Sequence, residues 1–322
     1  MTTPRAQQIS LSDTAYYHIM SRCVRRSFLC GTDDRTGQSF EHRRQWIEDR
    51  IRLLATVFSI EICSFAIMSN HYHIVLKIDP DPTKHWSFDE VIQRWLCIHK
   101  GPFLIHKYLK GEVTGKAEMA VVIKFVEDWR IRLSSISEFM QQLNQVISRQ
   151  ANKEENCTGR FWEGRYKSQP LLTEEALLTA MAYVDLNPIR ATMAKTPEGS
   201  KHTSIKERIR PTFDVEQALV NNPDFNPYYL QRFTIKPLSP FEGNLKSDKQ
   251  GGVIFSYNDY LTLVDTTARI QRQDKRGSIS SNFLPILERL GIQSDEWIEN
   301  TQKFEDIFYS KFYYKRNERN TA

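Results

Sequence analysis

The first eighty residues combine two kinds of hydrophobic pattern. Residues 14–24 form a short apolar and aromatic run that is typical of a β-strand. Residues 41–58 repeat apolar positions at helical spacing, with charges between them. Residues 62–76 hold two apolar runs on either side of Ser69-Asn70, which predicts two strands or one bent strand. We therefore expect the order strand, helix, strand, strand, ended by the proline-rich segment 79–82.

The middle of the chain is predicted to be mostly helical. Ser87 and Glu90 have the spacing of a capping box, so a helix should begin there and run to about His99. An apolar stripe over residues 135–147 predicts another helix. Aromatic and basic residues over 159–169 then favour a strand.

Residues 173–188 form a helical pattern with visible ends. Thr173 is a suitable N-cap, and Pro188 disfavours helical geometry at Asn187, so the helix is expected to end there. Tyr183 and Asn187 are four residues apart and share a face with small alanines. The amide oxygen of Asn187 is therefore placed to reach the same point as the phenol. On its own, a tyrosine at such a position is more often a core residue than a reactive one.

The last third of the chain changes character. Residues 211–250 are rich in proline and are predicted to be irregular, whereas residues 255–322 carry mainly helical apolar stripes. Basic residues accumulate in this last segment, which favours either a grip on a DNA hairpin or a solvated charged surface.

Composition sets only broad limits on function. The 322 residues carry a net charge of +5, a mild basic excess that nucleic-acid binding permits but does not require. The five cysteines are odd in number and widely spaced, which favours reduced thiols in a cytosolic protein over a zinc ribbon. No apolar run reaches the ~18 residues of a membrane span, and no secretory signal is evident.

The first candidate chemistry is the pair His71 and His73. Side chains alternate along a strand, so both imidazoles point to the same face and form half of a divalent metal site. A solvated pair, or one satisfied by hydrogen bonds, is the alternative. Three other histidines, His85, His99 and His106, lack ligand spacing and are interpreted as ordinary surface or core residues.

Basic residues provide a second candidate function. They follow the first strand and lie among aromatic residues of segment 159–169, a combination that suits unpaired bases next to phosphates. A solvated loop and a plain edge strand would look similar. The candidate DNA contacts are Arg22, Arg25, Arg26, Arg160, Arg165, Lys167 and Arg190.

Three segments together resemble a known family. Residues 70–76, 159–168 and 182–191 are similar to motifs of the REP-associated tyrosine transposases, single-tyrosine transposases of the HUH endonuclease superfamily. The resemblance covers roughly residues 14–205, and the three motifs in this order and spacing are more specific than the histidine pair alone.

The resemblance implies an α+β fold, an antiparallel sheet flanked by helices with ferredoxin-like topology. It assigns residues 1–205 to a catalytic domain with an insertion at about 83–133. Residues 206–322 then form a mainly helical C-terminal extension, with DNA binding as a candidate role.

The resemblance also implies residue roles. His71 and His73 match the metal ligands, Tyr183 matches the nucleophile, and Asn187 matches the position that completes the metal site. Tyr166 is the second candidate for the nucleophile, although it lies outside the matched helix.

The implied activity is that of a metal-dependent single-stranded DNA endonuclease and strand transferase. With Mg²⁺ or Mn²⁺ it would form a 5′-phosphotyrosine intermediate at or near hairpin repeats. The expected partner is single-stranded DNA with hairpin-forming repeats, and the protein is expected to be a monomer or homodimer in the cytoplasm, associated with the nucleoid if bacterial. One alternative is a non-catalytic protein that binds DNA hairpin repeats. A zinc hydrolase is a weaker alternative, because a third ligand at suitable spacing is not evident.

Overall fold

A single antiparallel sheet forms the centre of the computed structural model, which describes residues 9, 13–24, 29–33, 36–79, 81–242, 252–253 and 255–269. Within these residues the sheet has four strands in the order β2-β3-β1-β4. The strands are β1 (Tyr16–Arg22), β2 (Ile60–Ile67), β3 (His71–Ile78) and β4 (Lys167–Pro170).

Helices connect and cover this sheet. The described α-helices are α1 (Arg43–Val57), α2 (Asp81–His85), α3 (Phe88–Leu96), α4 (Phe103–Leu109), α5 (Lys116–Leu133), α6 (Ile136–Glu154), α7 (Glu174–Arg190), α8 (Ser204–Ile209), α9 (Val215–Asn221), α10 (Pro227–Leu230) and α11 (Tyr257–Arg269). A 3₁₀ turn, Pro197–Gly199, precedes α8. No helix among the described residues is both long and apolar enough to cross a membrane.

The predicted α+β fold is confirmed. The chain runs β1-α1-β2-β3, then through helices to β4, and this order with the antiparallel pairing is the split β-α-β arrangement of ferredoxin-like folds. Five helices, α2 to α6, occupy the connection between β3 and β4. The first four of them span residues 81–133, and the buried apolar residues of α3, α4 and α5 belong to the same hydrophobic cluster as α1 and the sheet.

Strand pairing decides which side chains share a face. Met20 of β1 lies opposite His73 of β3, and Arg22 lies opposite His71. His18 is two residues before Met20 and so lies on this face as well. The buried side chains of α7 pack over this face, whereas α1 and α6 cover the other. Two separate apolar clusters result, one on each side of the sheet.

The strand predicted over residues 159–169 is shorter than expected. Only Lys167–Pro170 forms strand β4, and Trp162 makes an isolated bridge to Cys23. Between them the chain bends, and the Arg160 guanidinium donates hydrogen bonds to the carbonyls of Trp162 and Glu163. Gly159 precedes this turn with a φ of +111°, a conformation that side chains rarely adopt.

The predicted end of α7 at Asn187 is wrong, because the helix continues through Pro188 to Arg190. Proline removes one N–H donor, but the next hydrogen bond resumes, with Ala191 N donating to Asn187 O at 2.9 Å. Asn187 therefore keeps helical geometry one turn beyond Tyr183. The predicted cap is confirmed, since the Thr173 hydroxyl accepts from Ala176 N at 3.0 Å.

Residues beyond 205 pack directly on the sheet domain. The predicted boundary between residues 205 and 206 falls inside α8. The fully buried Arg50 of α1 pairs with Asp224 at 2.8 Å and donates to the carbonyl of Gln142 at 2.8 Å. Helix α11 fits the helical pattern of the C-terminal segment, and residues 270–322 lie outside the described residues.

We predict that Arg50→Met lowers the free energy of unfolding by roughly 1–3 kcal/mol, because buried acceptors lose their donor. Chemical denaturation of the full chain measures this change. Arg149→Met on the exposed face of α6 is the matched control and should change stability by less than ~0.5 kcal/mol. Equal stability of both variants would contradict the importance of this ion pair.

Candidate active site

Strand β3 presents two imidazoles to the face that α7 covers. The ring centres of His71 and His73 are 4.8 Å apart and the rings are nearly perpendicular, at 88°. His71 Nδ1 lies 2.5 Å from the side-chain oxygen of Asn70. A carbonyl oxygen only accepts, so in this arrangement His71 donates from Nδ1 and keeps a lone pair on Nε2. The sequence-based prediction that both rings share one face agrees with this geometry.

A third imidazole, which sequence reasoning missed, completes the cluster. His18 Nε2 lies 2.9 Å from His73 Nδ1, and the two rings are within 14° of parallel. Alternation along β1 shows which residues of that strand share a face with His18, but it does not show which residues of β3 lie beside it. Its meeting with His73 depends on the β1–β3 register, for which the sequence carries no separate signal.

Helix α7 brings Tyr183 to the same cluster. The ring centre of Tyr183 is 5.5 Å from that of His73 and 6.1 Å from that of His18, with the rings nearly perpendicular in both pairs. Buried alanines of α7 let the helix lie close to the sheet, where the Met181 carbonyl accepts from the Ser64 hydroxyl of β2. The Arg190 guanidinium lies over the Tyr183 ring, 5.6 Å from its centre.

Several polar atoms in this region are buried without a hydrogen-bond partner among the described residues. They include Nε2 of His73 and the side-chain nitrogen of Asn187, and the oxygen and nitrogen of such an amide are interchangeable by rotation. Unpaired buried polar atoms are costly, so each needs a partner that the described chain does not supply. A divalent cation bonds imidazole at roughly 2.1 Å, closer than the ~2.9 Å of a hydrogen bond. An unpaired imidazole nitrogen and a side-chain amide are ligand types that divalent cations accept, so the residues present fit such an ion.

The described residues form no group of three or more His, Cys, Asp or Glu side chains that could hold a metal ion. A zinc centre built from three such ligands, as a zinc hydrolase needs, is therefore not formed by the described part of the chain. A site built on His71 and His73 must draw its further ligand from Asn187, water or substrate.

Burial keeps the three imidazoles uncharged. It lowers the pKa of His18 to about 4, and the Gln169 amide on β4 opposes this shift. It also lowers the pKa of His71 to about 4, with a contribution from the charge of Arg22. The pKa of His73 falls well below its ordinary value for the same reason, with further contributions from the neighbouring imidazoles. Neutral imidazole is the form that binds metal ions.

The predicted DNA contacts fall into two groups around these rings. Arg22 and Lys167 are exposed and lie on the imidazole face, opposite His71 and Met20 respectively. Arg190 lies over Tyr183, as described above.

The second group lies on the loop before β4. Arg165 is exposed on this loop, and the Arg160 guanidinium donates to the loop's own backbone. Arg25 and Arg26 lie outside the described residues.

Tyr166, the second candidate for the nucleophile, does not lie at this cluster. It is buried among the apolar residues on the α1 and α6 side of the sheet. Its hydroxyl lies 3.0 Å from that of Ser137 on α6.

A buried carboxylate fixes α7 above the imidazoles. Asp185, two residues after Tyr183, accepts hydrogen bonds from the Ser204 hydroxyl at 2.5 Å and the Tyr260 hydroxyl at 2.7 Å. It also accepts from Ile205 N at 3.1 Å. Burial raises the pKa of Asp185, and these hydrogen bonds oppose the shift. The carboxylate thereby joins α7 to α8 and α11.

Comparison with known proteins gives a structural similarity. No family model matches this chain, and no curated protein does. Among solved structures, the chain is similar to a REP-associated tyrosine transposase bound to a REP hairpin, with 10% sequence identity and a TM-score of 0.38. The similarity covers 67% of this chain and 90% of the other.

We predict that Tyr260→Phe lowers the free energy of unfolding by about 1–3 kcal/mol, because Asp185 loses a buried donor. Thermal or chemical unfolding measures the effect. Tyr228→Phe removes an exposed hydroxyl and should change stability by less than ~0.5 kcal/mol. If Tyr260→Phe were as stable as the parent, Asp185 would not need this hydrogen bond.

Proposed function

We propose that this chain is a metal-dependent endonuclease and strand transferase that acts on single-stranded DNA, with Tyr183 as the nucleophile. The observation that carries the proposal is the meeting of Tyr183 with His73, at 5.5 Å between ring centres, beside His71. A phenol next to two neutral imidazoles combines a nucleophile with metal ligands. The three sequence motifs described above supply the same residues in the same roles.

Mg²⁺ or Mn²⁺ is the proposed cofactor, held by His71, His73 and Asn187. Imidazole ligands favour Mn²⁺, because Mg²⁺ prefers oxygen. When bound, such a cation polarises a phosphoryl oxygen and orients the phosphodiester.

In the proposed reaction, the Tyr183 oxygen forms a bond to phosphorus and the bond from phosphorus to the 3′-oxygen breaks. The phenol gives up its proton to solvent, and the departing 3′-oxygen takes one up. The products are a 5′-phosphotyrosine and a free 3′-hydroxyl. The Arg190 guanidinium over the Tyr183 ring stabilises negative charge that develops on the phenol. Attack by a second 3′-hydroxyl reverses the step and joins strands without ATP.

The proposed partner is a DNA strand that follows the exposed cations of this face. Arg22 and Lys167 lie next to the imidazoles, where they can meet the phosphates on either side of the scissile bond. Tyr183 is half-buried on the side of α7 that faces the imidazoles, a position that favours access by a flexible single strand over a duplex. Cleavage beside hairpin repeats is the part of the proposal that rests on the sequence motifs alone.

We predict that Tyr183→Phe abolishes the covalent adduct with a labelled hairpin oligonucleotide in Mn²⁺, because no phenol oxygen remains to attack. Denaturing gels measure the adduct, and filter binding should show unchanged affinity. Tyr166→Phe is the matched control, since its hydroxyl lies on Ser137, and it should keep the adduct.

Two outcomes would contradict this assignment. An adduct that persists in Tyr183→Phe would remove the nucleophile. Binding without any cleavage by the unaltered protein would instead favour a non-catalytic protein that binds hairpin repeats.

We predict that Arg22→Ala and Lys167→Ala each weaken binding of single-stranded DNA, because each removes a cation next to a phosphate. The slope of log affinity against log salt should fall in magnitude by ~0.7 for each phosphate that is no longer neutralised. Fluorescence anisotropy over a salt series measures both quantities. Arg149→Ala, on the exposed face of α6, is the control and should leave the slope unchanged. An equal loss of slope in Arg149→Ala would show that DNA binding is not specific to the imidazole face.

A further inference from the structure

The site contains one imidazole to which the proposed reaction gives no role. His18 is buried on β1, and its Nε2 lies 2.9 Å from Nδ1 of His73. The two rings are within 14° of parallel and their centres are 5.1 Å apart, a separation that a 2.9 Å contact between ring nitrogens reaches only when it lies near the plane of both rings. A phenylalanine would fill the same space without the cost of burying ring nitrogens. The hydrogen bond itself is therefore the feature that needs an explanation.

One proton is shared along this hydrogen bond, and its position decides what His73 can do. If His18 donates, His73 carries its own proton on Nε2, and that N–H is buried with no acceptor among the described residues. If His73 donates from Nδ1, its Nε2 carries a lone pair instead, the form that a cation requires.

Gln169 lies beside His18 on the side away from His73, where the second arrangement needs an acceptor. It is fully buried and lies directly opposite His18 on β4. The oxygen and nitrogen of its side-chain amide are buried and have no hydrogen-bond partner among the described residues, so the oxygen can accept the other ring N–H of His18. With a proton on its Nδ1 side, neutral His18 has a lone pair on Nε2 and accepts from His73.

We propose that His18 is a positioning residue that holds His73 in the Nδ1-protonated tautomer and thereby directs Nε2 of His73 toward a divalent cation. The inference rests on the proposed function, because the cation is the one that the proposed endonuclease uses. Ligating histidines commonly donate their other ring N–H to a neighbouring acceptor, and loss of that acceptor weakens metal binding by roughly 10–100-fold. In this chain the acceptor is another imidazole on the adjacent strand.

The test compares two variants that differ in one hydrogen bond. His18→Phe keeps the volume of the ring and removes the acceptor, whereas His18→Gln places an amide oxygen near the former Nε2. Mn²⁺ affinity is measured by calorimetry, and unfolding without metal verifies that each variant is folded. We expect about 10–100-fold weaker binding in His18→Phe and recovery of most of this loss in His18→Gln. His99→Phe, which alters a ring stacked on Trp95 at 4.1 Å, is the control and should bind as the parent does.

A second measurement is independent of metal. Imidazole ¹⁵N spectra of the metal-free protein should show His73 protonated on Nδ1, and in His18→Phe the Nε2-protonated form should increase. His73 protonated on Nε2 in the parent would overturn the inference. So would unchanged Mn²⁺ affinity in His18→Phe, or equal loss in His18→Phe and His18→Gln. If the parent binds no Mn²⁺, the proposed metal chemistry fails, and the ¹⁵N spectra alone decide the role of His18.

Discussion

The register of β1 against β3 is the constraint on which the site depends. Pairing Met20 with His73 places His18 diagonally across from the same ring, within reach of a hydrogen bond. A slip by one residue would turn His18 to the opposite face, among the apolar side chains that pack on α1 and α6. The apolar residues that alternate with the histidines oppose such a slip, because it would remove them from their packing against α1 and α6. Core packing on one face of the sheet thus fixes the positions of the imidazoles on the other.

Helix α7 brings Tyr183 close to the imidazoles and shields them from water. Its small buried side chains let Tyr183 contact the imidazoles, and the same coverage removes water from His73. Burial lowers the pKa of all three imidazoles, which keeps them neutral at pH 7. Positive charge is instead carried at the rim by exposed Arg22 and Lys167. This separation suits the proposed function, in which the centre of the site binds a cation and its edge binds an anionic strand.

Local sequence patterns predicted the secondary-structure elements but not the tertiary contacts between them. Alternation placed His71 and His73 on one face, and the Thr173 cap marked the start of α7. The end of α7 was predicted wrongly because the restriction on the residue before proline is a tendency that a helix can override, and here Ala191 N still donates to Asn187 O. The strand predicted around Arg160 was wrong because the chain bends there, and Arg160 donates to the backbone of its own loop. The sequence does not distinguish such a guanidinium from one that is available to a phosphate. His18 was missed because strand register is a tertiary property.

The support of α7 shows why the motif-bearing residues are not sufficient by themselves. Asp185 follows Tyr183 by two positions, and a carboxylate buried there would be costly without donors. Those donors come from Ser204 and Tyr260, on elements that lie after the last recognised motif. Residues of α8 and α11 therefore supply the hydrogen bonds that Asp185 needs on the helix that carries the candidate nucleophile. In the same way, Asp224 pairs with the buried Arg50 on α1. The later part of the chain is consequently a structural component of the candidate site.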